Sequence, residues 1–374
     1  MFGILALALL MVVHEGGHFL AARTFGMRVL KFSIGFGPTF FKISPKDGYY
    51  WFTSAAEKVK LRLWKHDAEK QGPTVYQVAM IPFLAYVQID GMNPLEEVDP
   101  KDKGNFSNGS LWGRIVTIFS GPLANYLFAS VFFFGATLYG GKAAEIVINN
   151  ERQLLTYVDA LPGRPAHNAG VQPGDKVVEV AGTPVGTWNE MAEQISKRPG
   201  EPIKVVVERK VDENHEERKT LDITPSNEDG KGKIGVAPHK LPVPLKEAAI
   251  FALTEPPKVV KSIGAGLSQL FRGNTEDLGG PLRMMKETED AAKQGLAAYL
   301  WLLGVLSAYI GIFNLLPFPA LDGGRLVFLA YEAVTRRKPN AMVEVYTNGF
   351  GILTLLGLAL YITVFKDVPH MLSK

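Results

Sequence analysis

The chain has 374 residues, with 40 lysines and arginines against 37 aspartates and glutamates, and no cysteine. So even a charge balance, with no basic patch interleaved with aromatics, argues against a nucleic-acid partner. The lack of cysteine excludes disulfides and thiolate ligands, so any metal must be held by histidine and carboxylate.

The first predicted element is an apolar helix over residues 1–22, and Phe2 to Ala22 is about the length needed to cross a bilayer core. No Lys or Arg precedes Arg23. A signal peptide would carry a basic n-region and an unbroken apolar core, and this segment has neither. Within it, "ALLMVVHEGGHFLAAR" sets His14 and His18 four apart, on one face of a helix and one turn from each other. Two such imidazoles can reach one zinc ion, with Glu15 as the carboxylate that takes a proton from water. A solvated surface helix is the ordinary alternative for an H-E-x-x-H match. It fails here, because an ionisable group inside a membrane span costs about 3 kcal/mol or more and persists where it faces a partner or a cavity. Gly16 and Gly17 each cost about 1 kcal/mol relative to alanine in a helix. Their placement fits a ligand or backbone approaching closely, or close helix packing.

Residues 23–111 form a β-rich, membrane-associated region, with "FSIGFGPTFFKI" and "YVQID" as candidate strands and a hairpin edge exposed beside the first helix. Residues 112–139 hold the second span, in which Ile115 to Tyr139 carries no charge. From 144 to 238 the composition is that of a small β-rich domain, with strands "IKVVVERK" and "KTLDITP" joined by a charged turn. Residues 239–296 form a linker with amphipathic helices suited to a membrane surface.

Residues 297–340 hold the third span, from Ala297 to Phe318, and a following helix. Asp322 ends this apolar run, after Pro317 and Pro319 break helical hydrogen bonding. Non-helical backbone at membrane depth needs protein or a watery cavity around it, which makes Asp322 a candidate third ligand. The ordinary reading makes it the N-cap of "GGRLVFLAYEAV". Residues 341–374 hold the fourth span, from Phe350 to Phe365, and a tail. The fold class is therefore an α-helical membrane protein with about four transmembrane helices, a β-hairpin region and an inserted β-rich domain. Arg23, Arg28 and Lys31, with Arg336, Arg337 and Lys338, put residues 23–111 and the third-to-fourth connection on the cytoplasmic side. Residues 140–296 then lie on the other side.

Two resemblances carry these observations further. The run "PAHNAGVQPGDKVVEVAGTPV" resembles the PDZ pattern over residues 144–238, and PDZ domains take an extended peptide as an added strand. A spacer or steric filter is the competing role. "HEGGH" in the first span, "GPLAN" (Gly121 to Asn125) in the second and "NLLPFPALDGG" in the third, in that order around a PDZ-like segment, resemble the site-2 protease family of intramembrane zinc metalloproteases. The nearest type is the bacterial regulator-of-sigma-E protease, although that type usually has two tandem PDZ domains.

The resemblance implies Zn2+ held by His14, His18 and Asp322, and Glu15 as the base. It also implies that Asn314 contacts the substrate backbone, and that the hairpin around residues 31–43 offers an edge strand. Implied partners are single-span membrane proteins such as anti-sigma factors or signal-peptide remnants, the lipid bilayer, and a peptide at the PDZ-like domain. The implied location is the bacterial cytoplasmic membrane, with that domain outside the cytoplasm. Two other functions remain open on the residues alone. One is a membrane-anchored zinc peptidase cutting soluble chains, which would keep its H-E-x-x-H helix out of the apolar run. The other is a non-catalytic PDZ scaffold, which would tolerate loss of Glu15 or Asp322.

Overall fold

A helix that is apolar on every face gains nothing from turning one side to water, and the N-terminal segment folds in this way. In the computed structural model, α1 runs unbroken over Phe2–Thr24, through both glycines. The model describes residues 2–44, 48–51, 72, 74–148, 151–212, 215–228, 230–271 and 280–369. These fall into two units, Met1–Ala136 with Ala249–Lys374, and Thr137–Ala248.

In the first unit, α1 leads into an antiparallel sheet of β1 (Val29–Ser44), β2 (Gly48–Trp51) and β3 (Val75–Ile89), in the order β2-β1-β3. The long strands bend, so β3 meets β1 more than once. Residues 39–43 of β1 pair with 76–79, residues 29–34 pair with 85–89, and 31–34 also lie along 75–78. For its first strand residues this corrects the expectation of an edge strand in the hairpin around 31–43. Residues 31–34 are interior, because β3 covers them on both sides. Among the described residues, 85–89 form one edge of the sheet and β2 the other. The chain then forms α2 (Leu111–Gly140), which contains Pro122.

The unit Thr137–Ala248 contains β4 (Tyr157–Ala160), β5 (Asp175–Val180), α3 (Trp188–Ser196), β6 (Ile203–Asp212), β7 (His215–Ile223) and β8 (Val236–Pro238). The sheet order is β7-β6-β5-β4-β8, with Thr183–Pro184 as a short arm on β5. Alternating valines and isoleucines fill its core: Val158, Val177, Val180, Val205, Val207 and Ile223 pack with Met191 and Ile195 of α3. A capping box starts α3, in which Thr187 Oγ1 accepts the Glu190 N–H and the Glu190 carboxylate accepts the Thr187 N–H.

The remaining helices are α4 (Leu245–Phe271), α5 (Pro281–Gln294), α6 (Leu296–Asn314), α7 (Asp322–Thr335) and α8 (Ala341–Ile362). The third apolar helix thus stops at Asn314 and not at Phe318, because neither Pro317 nor Pro319 can donate to a continuing helix. The fourth begins at Ala341, ahead of Phe350, where Asn340 Oδ1 accepts the Met342 N–H. Four helices, α1, α2, α6 and the segment from Ala341 to Asp367, are long and apolar enough to cross a membrane.

Leu10 of α1, Phe132 of α2, and Leu303 and Leu306 of α6 form one buried cluster. The stripe Gly304, Ser307, Ala308 and Gly311 is buried, and it lets α6 lie close on α2, with Ser307 Oγ donating to the Asn125 carbonyl at 2.7 Å. Arg114 of α2 and Glu332 of α7 form a part-buried two-armed pair at 2.6 and 2.9 Å. That pair fixes the helix that begins with Asp322 against α2.

Candidate metal centre

One turn of α1 stacks His14 and His18, which are 4 % and 5 % exposed. Asp322 joins them from the start of α7. Its Oδ2 is 3.0 Å from His14 Nε2 and 3.3 Å from His18 Nε2, and the two Nε2 atoms are 3.2 Å apart. Zinc bonds of about 2.0–2.1 Å in tetrahedral directions would separate neighbouring donor atoms by about 3.3 Å. The triangle has those edges. Asp322 Oδ2 is also buried and makes no well-formed hydrogen bond. Lone pairs converging on one point around an orphaned carboxylate oxygen fit a bound cation. Two imidazoles and one carboxylate are a catalytic type of zinc set, which keeps a further position for water or substrate.

For Nε2 to bind metal, each ring must carry its proton on Nδ1, and α2 meets both rings there. His18 Nδ1–H donates to the Thr117 carbonyl at 2.8 Å. The Asn125 carboxamide lies 3.2 Å from His14 Nδ1, and Asn125 Oδ1 is buried without a partner. The two ends of a carboxamide have nearly the same shape, so its orientation is set by the hydrogen bonds it can make. Turned over, Asn125 accepts from His14 Nδ1–H, and its orphaned oxygen is satisfied.

The approach of α2 depends on missing side chains. A Cβ on Gly121 would lie 2.3 Å from His18 Nε2, and one on Gly17 would lie 2.1 Å from the Ser120 carbonyl. Gly17 is therefore a helix-packing glycine, whereas Gly16 faces open space.

Asp322 is the first helical residue of α7, and the N-cap position belongs to Leu321. Its carboxylate is not spent on capping, contrary to the ordinary reading of that residue. The loop before it holds Ala320 at φ +72°, a left-handed conformation that costs a non-glycine residue about 1–3 kcal/mol. The Ala320 N–H donates to Asn348 Oδ1 of α8 at 3.2 Å, which offsets part of that strain and fixes the turn leading to Asp322.

Glu15 lies beside the cluster, near enough to interact electrostatically with His14, His18 and Asp322. Its Oε2 accepts the backbone N–H of Val87 at 2.9 Å. Asn314 stands at the C-terminal end of α6, half-buried, with its side-chain amide donating to the Ile310 carbonyl at 3.0 Å. The structure thus brings together His14, His18, Asp322 and Glu15. Asn314 is turned back on its own helix. Sequence reasoning gave no role to Asn125, Thr117, Val87 or Asn348. A carboxamide inside an uncharged span was the one available signal, for Asn125.

The family model described as peptidase family M50 matches residues 2–58 and 55–358. Proteins of Rhizobium meliloti and Agrobacterium fabrum, each named a putative zinc metalloprotease, are 30 % identical to the chain. The first match covers 94 % of this chain and 91 % of the relative, and the second 99 % and 95 %. A protein of Shouchella clausii named zinc metalloprotease RasP is 26 % identical over 98 % of this chain and 97 % of its own length.

Proposed function

The chain is a zinc metalloprotease of peptidase family M50, and from that premise we propose that it cuts peptide bonds in or near the membrane-spanning segments of single-span proteins. His14, His18 and Asp322 hold the zinc, and Glu15 is the catalytic base. The observation that carries this reading is the triangle of donors in which two histidines on a helix apolar enough to cross a bilayer meet Asp322. A soluble-chain peptidase has no need to place its site there.

Zinc, when bound, supplies Lewis acidity toward water and toward the scissile carbonyl. Glu15 accepts the proton of the attacking water and passes it to the leaving amine. Thr117 and Asn125 hold the two imidazoles with Nε2 free. A helical substrate hides its carbonyls in its own hydrogen bonds, so it must be unwound before cleavage. Adding it as a strand on residues 85–89 would expose the bond beside Glu15. In this reading Asn314 releases the Ile310 carbonyl and binds the substrate backbone. Anti-sigma factors and signal-peptide remnants are the substrate types the family resemblance implies.

Residues 144–238 act as a PDZ domain on the extracytoplasmic face of a bacterial cytoplasmic membrane. Two features favour that role. Strand β8 lies at the edge of its sheet, and a groove of about 440 Å³ beside it is lined by Trp188, Met191 and Ile195 of α3 and by Ile234 and Val236. A peptide laid along β8 would occupy that groove. Deleting 144–238 is then expected to keep zinc and to change the preference between substrates with long and trimmed extramembrane parts.

The direct test is cleavage of a single-span model substrate in detergent, with the products mapped by mass spectrometry. Wild type is expected to cut within or beside the span, and Glu15→Gln to keep its zinc and lose turnover. Cleavage confined to soluble segments would sink the intramembrane reading. Turnover by Glu15→Gln would sink the base.

A further inference from the structure

The catalytic glutamate is held by a backbone group of the sheet, and that group lies on one of the sheet's two edges. Residues 85–89 pair with β1 on one side only, among the described residues. In an antiparallel strand, alternate residues turn both backbone groups to the neighbour, and those between turn outward. The Val87 N–H donates to Glu15 Oε2 at 2.9 Å, so Val87 belongs to the outward set, together with Ala85 and Ile89. Glu15 Oε1 makes no hydrogen bond among the described residues.

From this geometry we propose that the Val87 amide is a positioning group for the base. It fixes one carboxylate oxygen of Glu15 and leaves the other to take the proton of water. A substrate strand on the same edge then uses the outward amide of Ala85 and not that of Val87. The proposal rests on the reading of Glu15 as the base.

A sheet amide suits this work better than a side chain would. It cannot rotate away, because its strand is laddered to β1, and it carries no charge of its own. The arrangement also divides one edge into two functions, orientation of the base at Val87 and capture of substrate at Ala85. Because the outward N–H of Val87 is not part of the ladder, its removal leaves the β1–β3 pairing intact.

The test replaces single amides by esters through incorporation of the α-hydroxy analogue of valine at 87 or alanine at 85, in the full-length zinc-loaded protein. Each ester removes one N–H and keeps the side chain. Val87→Pro and Val87→Thr serve as genetically simpler variants without and with the N–H. The ester at 87 and Val87→Pro are expected to lower kcat about ten- to a hundredfold, as loss of an orienting partner usually does. Zinc content should be unchanged and KM within about twofold, and Val87→Thr should stay near wild type. The ester at 85 is expected to raise KM with kcat nearly unchanged.

Wild-type kcat in the ester at 87, or a loss that falls on KM at both positions, would overturn the assignment. Loss of zinc from the ester at 87 would also overturn it, since the bond would then be a structural tie. Glu15→Gln, measured alongside, separates the two levels. If it turns over substrate, the base reading fails; if it is inactive while the ester at 87 is not impaired, only the role of Val87 fails.

Discussion

In the unit Thr137–Ala248, the buried Asp175 carboxylate takes both the Nε and an Nη of Arg209, at 2.8 and 2.7 Å, and also the Gln172 N–H. Thr187 and Glu190 close their capping box on each other. The exception there is the neutral hydroxyl of Thr156. The other unit also buries polar side chains among apolar ones, but around His14 and His18 they are not mutually satisfied. Asp322 Oδ2 is buried without a hydrogen bond, 3.0 and 3.3 Å from the two imidazole Nε2 atoms. Burying a carboxylate oxygen without a partner is costly, and a chain keeps that cost where a ligand removes it. Arg114 Nε and Thr156 Oγ1 are unsatisfied as well, but neither faces other metal-ligating atoms; an unsatisfied carboxylate oxygen facing two imidazoles marks a site.

Removing the orphaned carboxylate should have the largest effect. Asp322→Ala should lose zinc to below detection by metal analysis, and all cleavage with it, while the protein still inserts and purifies. Retained stoichiometric zinc would show that the orphaned oxygen had another purpose. Asp322→Asn refines the point: asparagine caps a helix as well as aspartate does, so a capping role makes this change nearly neutral, whereas a ligand role weakens zinc markedly.

Gly121→Ala adds a single methyl where His18 Nε2 now lies 2.3 Å from the would-be Cβ. The ring must leave, and zinc affinity is expected to fall about a hundredfold or more, read by competition with a chelator. Unchanged affinity would mean that α2 is not held against the site as described.

The satisfied pair in the other unit should respond in the opposite manner. Asp175→Ala leaves Arg209 without its buried partner, which costs roughly 3 kcal/mol. Faster hydrogen exchange across β5 and β6 would register this loss, with zinc content untouched. Thr187→Ala should cost about 1 kcal/mol through loss of the cap, again with no effect on zinc. A zinc defect in either variant would erase the distinction between the two regions.

The centre was legible in the sequence to the extent that its groups violate their surroundings. His14, Glu15 and His18 stand out because ionisable residues do not belong in an apolar helix without a reason, and Asp322 because two prolines break the chain just ahead of it. The early end of α6 at Asn314 follows from those same prolines. The edge at 85–89 was not legible. It arises because β3 is long enough to bend over both sides of residues 31–34, a non-local pairing that no local pattern encodes. Val87 and Asn348 act through a backbone amide and a bond across 28 positions in the chain, so neither side chain advertises its part.

Zinc-edge X-ray absorption on the purified protein reads the ligands of the centre themselves. One zinc per chain is expected, with two imidazole nitrogens and a carboxylate oxygen in its inner sphere, and with the imidazole scattering reduced in His14→Ala and in His18→Ala. An inner sphere with no imidazole, or one unchanged by either substitution, would contradict that ligand set.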